Sequence, residues 1–142
     1  VSRQEQIRHE HREMRTHLDR IRMQLAAPGG LLSERRARRV WIGEIDRLAD
    51  ELTRHFATEE TGGYMSEVIA MRPESSRAAE RLVAQHDQLL GRLAAIRGHL
   101  AADDLAYGRA ELARFLTALE AHERAEVELV QEAFNRDVAA AD

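Results

Sequence analysis

An all-α fold, an up-down-up-down antiparallel four-helix bundle, is what this sequence predicts, and three observations predict it. Ala, Leu, Glu and Arg dominate the 142 residues and only two prolines interrupt them, a composition that favours helix throughout. Turn-forming residues divide the chain into four long segments, each with apolar residues at three- and four-residue steps. Short connections between long helices favour antiparallel neighbours.

The first segment covers about residues 2–26 and stops at Ala26-Ala27-Pro28-Gly29-Gly30. Ser33, just ahead of Glu34 to Arg36, reads as the cap of the second. That segment spans about 34–68, interrupted at Gly62-Gly63, and is closed by Arg72-Pro73. The residue before a proline is pushed out of helical geometry. Glu74-Ser75-Ser76 opens the third segment, about 74–101, and Asp103 or Asp104 caps the fourth, about 105–137. A helix of roughly 25 residues is about 37 Å long. With no internal repeat and no low-complexity linker, residues 1–142 read as a single domain.

Charge and composition narrow the function classes. The formal charge of -4, with arginines set against acidic residues at helical spacing, describes an ion-paired exterior rather than a nucleic-acid-binding face. No apolar run reaches the length of a membrane span and no signal-peptide pattern opens the chain, so the expected location is cytoplasmic with no membrane partner. There is no cysteine, so any metal must be held by nitrogen and oxygen.

The apolar stripes decide which polar residues point inward. The first helix offers Ile7, Met14, Leu18, Ile21 and Leu25, with His11 in the same series. The second reads Trp41, Ile45, Leu48, Leu52 and continues to His55 and Glu59. The third reads Leu82, His86, Leu89, Leu93, Ile96, Leu100, and the fourth Leu112, Phe115, Leu119, His122, Glu126, Leu129. Each stripe thus carries a histidine, and two add a glutamate four residues later, one turn along the same face.

A lone histidine on an apolar face is ordinarily a hydrogen-bonded core residue. Buried glutamates are harder to account for, because an unpaired carboxylate in a core costs several kcal/mol or neutralises itself. The stripes around Glu59 and Glu126 contain no Arg or Lys, whereas a metal cation would satisfy carboxylates and imidazoles together. Heights along the bundle agree. About the turn near Arg72, His55 and Glu59 lie 17 and 13 residues before and His86 lies 14 after. About the turn near Asp104, His86 and His122 lie 18 residues to either side. A first turn centred near Leu31 to Ser33 would align His11 with His55. The six groups can share one layer.

These residues resemble the hemerythrin-like, histidine-histidine-glutamate cation-binding domains of bacterial type, over nearly the whole chain. The resemblance rests on Glu10-His11-Arg12-Glu13-Met14-Arg15 and His55-Phe56-Ala57-Thr58-Glu59-Glu60, then on Gln85-His86-Asp87 and His122-Glu123-Arg124-Ala125-Glu126. The stretch from Glu59 to Met65 adds to it. It implies a non-haem centre of two iron ions (Fe2+/Fe3+) joined by an oxo or hydroxo bridge. Glu59 and Glu126 would bridge the irons, with His11, His55, His86 and His122 as terminal ligands.

Two departures bear on activity. Family members that carry oxygen reversibly have a second histidine one turn after the first on the third helix, where this chain has Leu90. Their fourth helix pairs histidine with an aspartate five residues on, where this chain has Glu126 four residues on. A missing imidazole leaves a labile position, which suits redox chemistry or sensing of O2, peroxide or NO, including peroxide decomposition. The alternative function is a non-catalytic iron-binding, iron-sensing or O2-carrying module; a bundle that takes zinc or stays empty is the third. A monomer or weak homodimer is expected.

Tyr64 is a further ligand candidate, since Gly62-Gly63 could turn it toward the iron; its other reading is a ring packed against the bundle end. Glu60, Glu123, Asp87 and Glu10 flank the ligands, either as acceptors that orient imidazoles or as exposed charges. His9, His17 and His99 fall off the stripes and are expected at the surface. Trp41 and Tyr107 are expected in the core, and Met14 as lining near His11.

Overall fold

The computed structural model describes residues 3–26, 34–61, 64–102 and 104–141. Among them are five α-helices: α1 (Arg3–Ala26), α2 (Glu34–Glu60), α3 (Tyr64–Met71), α4 (Ser76–Ala101) and α5 (Leu105–Ala141). Helices α1, α2, α4 and α5 form the antiparallel four-helix bundle, and the one short helix, α3, packs across α2, α4 and α5 at one end. The described residues contain no helix long and apolar enough to cross a membrane.

The second segment differs in detail from its sequence expectation. Instead of one helix to about 68, α2 ends at Glu60 and the chain restarts as α3 at Tyr64. Arg72 then adopts extended geometry (φ -141°, ψ 90°) ahead of Pro73, as the steric rule for the residue before proline requires. A 3-10 turn over Pro73–Ser75 feeds α4. At the last turn, Asp104 precedes α5 and its carbonyl accepts from the Gly108 N–H at 2.9 Å, opening the helical ladder. Ser33 and Asp103 lie outside the described residues.

Packing follows the stripes. Met14, Leu18 and Ile21 meet Trp41, Ile45, Leu48 and Leu52, together with Leu89, Leu93, Ile96 and Leu100 and with Leu112, Phe115 and Leu119, in one buried cluster. Burying a side chain such as Leu or Phe contributes about 1.5–3 kcal/mol, so this cluster dominates the energetics of the bundle. A second cluster, Met65 and Val68 against Ala79, Leu82, Leu129, Val130 and Ala133, seats α3. Buried Arg72 reinforces that end by pairing with Glu74 at 3.0 Å and Glu132 at 3.2 Å. Elsewhere Arg22 grips Glu120 through two bonds of 2.8 and 3.0 Å, holding α1 to α5. Arg109 donates to the Leu25 carbonyl at 2.8 Å, satisfying an acceptor in the last turn of α1.

Two expectations fail outside the metal layer. His17 is buried, not exposed: its Nδ1 lies 2.7 Å from Glu51 Oε2 and its Nε2 3.8 Å from Glu44 Oε2, because the α1–α2 groove admits one more polar residue than the stripe suggests. Tyr107 is exposed, not core. It stands in the first turn of α5, off the face that carries Leu105 and Leu112 to the main cluster, and its ring meets His99 edge-on. Trp41 is buried as expected, and His9 and His99 are exposed.

Candidate metal centre

Between the two buried clusters the core turns polar. His11 arrives from α1, His55 and Glu59 from α2, His86 from α4, and His122, Glu123 and Glu126 from α5. Their donor atoms form two groups, each within 4.8 Å: His11, His55, Glu59 and Glu123 in one, and Glu59, His86, His122 and Glu126 in the other. The sequence candidates His11, His55, Glu59, His86, His122 and Glu126 are therefore all brought together. Glu59 alone belongs to both groups.

Its carboxylate straddles the interior. Oε1 lies 2.6 Å from His55 Nε2 and Oε2 lies 3.1 Å from His86 Nε2, so one oxygen faces each side. Glu126 Oε1 sits 2.5 Å from His122 Nε2 and 4.0 Å from His86 Nε2. Glu123 Oε2 sits 2.8 Å from His11 Nε2 and 3.4 Å from His55 Nε2. Glu59 and Glu126 have 1% and 0% of their surface exposed, values that carboxylates reach only when a cation or strong donors compensate them.

The contact geometry favours a cation. Both oxygens of Glu59, both of Glu123, and the Nε2 atoms of His55, His86 and His122 are buried without a properly angled hydrogen bond, although they crowd one another. Atoms at contact distance that do not point protons at each other are arranged as ligand lone pairs are, around a common interior point. The residues present fit a metal bound by nitrogen and oxygen.

The surroundings orient the imidazoles. Gln85 Oε1 accepts from His122 Nδ1–H at 2.7 Å, which fixes the tautomer and leaves Nε2 as the inward donor. Glu60, exposed at the end of α2, places Oε1 3.7 Å from His86 Nδ1, outside both ligand groups. Phe56 stacks on His86 and stands edge-on to His122 at 5.7 Å. Tyr64 opens α3, but its side chain lies outside those described, as do Gly62 and Gly63.

Without metal, the groups polarise one another. Burial pushes His55 down, but contacts with Glu123 and Glu59 outweigh it and carry the imidazole up to about 10. Burial likewise works against the charge on Glu59, yet His55 and His86 hold it well below the usual carboxylate range. Glu123, buried but faced by His11 and His55, is held at about 2. His122 goes the other way, pushed by burial to about 4.

Sequence reasoning set Glu123 beside the ligands, as an orienting acceptor or an exposed charge, but did not place it among the donors, and it gave Gln85 no role. Glu123 is buried beside His122, and the exposed-charge reading fails for it, whereas Asp87 is exposed. The sequence carries no signal for the burial of Glu123, which follows from α5 packing against α1, α3 and α4 and so burying more than one stripe. Three clefts reach the centre from outside. One of about 780 Å³ between α1 and α2 touches His55, one of about 560 Å³ between α1 and α5 touches His11 and Glu123, and one of about 340 Å³ between α4 and α5 touches His122.

The family model for the hemerythrin HHE cation binding domain matches residues 2–134, which include every residue of the centre. Comparisons with curated proteins and with solved structures return no match.

Proposed function

The chain belongs to the hemerythrin HHE cation-binding family, and from that premise we propose that it is a non-haem di-iron protein that reacts with or senses small oxidants (O2, peroxide or NO). The observation that carries this reading is Glu59, whose two oxygens serve two separate groups of donors. A carboxylate shared in that way suits a pair of metals rather than one. His11 and His55 would hold one iron and His86, His122 and Glu126 the other, with Glu59 between them. Glu126, expected from the resemblance to bridge as well, has its donor contacts in one group only.

A bound iron pair supplies one-electron and oxygen chemistry that no side chain of this protein has. The chain's own residues do the rest. Gln85 keeps His122 Nε2 aimed inward, and Phe56 covers one face of His86 between the two apolar clusters. The clefts admit molecules of the size of peroxide. Leu90, half-buried against the main core, offers no donor where oxygen carriers have an imidazole, which supports exchange at the centre over protected carriage. Glu60, with Oε1 3.7 Å from His86 Nδ1 and outside both donor groups, would act on the centre through its charge beside His86 rather than as a ligand. Tyr64 remains a candidate for an additional ligand, and Tyr64→Phe should then abolish a phenolate-to-iron absorption band.

Metal analysis after growth in iron should give close to two irons per chain; zinc alone or an empty protein would overturn the reading. The reduced protein, mixed with O2 and then stripped of it, should not return to its starting spectrum. Full reversibility would assign it to carriage instead. Sustained peroxide decomposition, lost in His122→Ala, would make it an enzyme.

A further inference from the structure

We propose that Glu123 is a terminal ligand to the metal held by His11 and His55, an inference that rests on the two-metal reading above and deepens it. The resemblance to the family supplies two carboxylates, at Glu59 and Glu126, and gives no role to Glu123. The fold does. Glu123 and Glu126 are three residues apart on α5, so they share a helix face about 60° apart, separated by about 4.5 Å along the axis. That offset directs Glu126 at His122 and Glu123 at His11, toward opposite halves of the centre.

Three features mark Glu123 as a ligand rather than a supporting charge. It is buried; its Oε2 lies 2.8 and 3.4 Å from the inward nitrogens of both histidines in its group; and both its oxygens lack a properly angled hydrogen bond. A carboxylate that merely oriented an imidazole would face the outer ring nitrogen, as Gln85 faces Nδ1 of His122. Glu123 faces Nε2, the side on which the metal must sit. Each half of the centre then has the same donors: two imidazoles, one oxygen of Glu59 and one carboxylate of α5. The absent imidazole at Leu90 therefore leaves an evenly provided pair instead of one well-bound and one poorly bound metal.

Cobalt(II), added anaerobically and followed by its visible bands, tests this without any turnover. Wild-type protein should take up two ions. In Glu123→Gln, which preserves shape, one of the two should bind at least about tenfold more weakly while the other changes little. Glu123→Ala should show the same loss and regain the second ion when millimolar formate supplies a replacement carboxylate. Two unchanged affinities in Glu123→Gln, or a loss in Glu123→Ala that formate does not repair while helical circular dichroism is intact, would overturn the assignment. A crystal of the cobalt-loaded wild-type protein is independent of any variant. A Glu123 oxygen within about 2.0–2.2 Å of the metal beside His11 and His55 supports the proposal, and one beyond hydrogen-bond range sinks it. Uptake of fewer than two ions by the wild type would instead remove the two-metal reading on which it stands.

Discussion

The phenyl ring of Phe56 lies flat against the imidazole of His86, with centroids 3.9 Å apart and planes inclined by only 3°. Phe56 follows His55 in α2 and is itself 1% exposed, so it is both core filler and the wall against which a candidate ligand rests. Phe56→Ala should lower the stability of the metal-free protein by about 3–5 kcal/mol, the usual cost of deleting a buried phenyl ring. Phe56→Leu should cost less than about 1.5 kcal/mol yet still weaken metal uptake, because His86 loses its stacking surface. Urea denaturation and a metal titration on each variant separate the two effects. Metal affinity that tracks stability alone would show that the stack has no orienting role.

Removing the shared carboxylate should be more damaging than removing an unshared one. Glu59→Gln keeps the volume but takes an oxygen donor from both groups at once, whereas Glu126→Gln affects the group containing His86 and His122. Glu59→Gln should therefore retain at most one metal per chain with affinity lowered at least about tenfold, on the scale seen when the surroundings of a metal are disturbed. Elemental analysis after dialysis reads the stoichiometry. Two tightly held ions in Glu59→Gln would rule out a bridging role.

The bundle and most of the centre were legible because both obey helical periodicity. His11, His55, His86 and His122 continue the stripes that bury Leu18, Leu52, Leu89 and Leu119, and burial follows from that series. Periodicity fails where a helix buries more than one strip. Glu123 lies about 100° around α5 from His122, a direction that is solvent on an ordinary bundle helix but here faces α1. His17 was hidden for the same reason, since its partners Glu44 and Glu51 lie across a groove that only the placement of α1 against α2 creates. Tyr107 shows the reverse case: an aromatic expected in the core by its type, but about 140° around α5 from Leu112 and so off the buried stripe.

The metal-free protein should be most stable near pH 6.5 and lose stability on either side. His55 is carried up to about 10, so between its ordinary value and 10 the folded state holds a proton that the unfolded chain releases. Its contribution is complete below about 6.5 and is lost as pH rises through 10. His122, pushed down to about 4, behaves oppositely: the unfolded chain takes up a proton first, so stability falls as pH drops from about 6.5 to 4. Glu123, held at about 2, extends the acid loss below its ordinary carboxylate range. Urea midpoints from pH 4 to 10 on chelator-treated protein test this. In His122→Gln the slope between pH 4 and 6.5 should flatten, and an unchanged slope would assign the acid limb to other groups.

Two glycines far from each other in environment give opposite predictions for the same substitution. At Gly108 in α5 a Cβ would sit 2.5 Å from Leu100 Cδ2 and 2.8 Å from its Cγ, and Leu100 is fully buried. Gly→Ala in a helix gains roughly 0.8–1 kcal/mol from propensity, while forcing a packed core to make room costs about 1–3 kcal/mol. Gly108→Ala should therefore be destabilising on balance, since Leu100 is held at the close approach of α4 and α5. At Gly91 in α4 a Cβ meets nothing within 4 Å, and the position is exposed, so the propensity gain should appear almost undiminished. Neither position touches the donors of the centre, so both variants should load metal as the wild type does. Thermal denaturation ranks them directly: Gly91→Ala above wild type and Gly108→Ala below it. Equal shifts in the two variants would mean that α5 slides past Leu100 at little cost, and that the turn between α4 and α5 is softer than its packing implies.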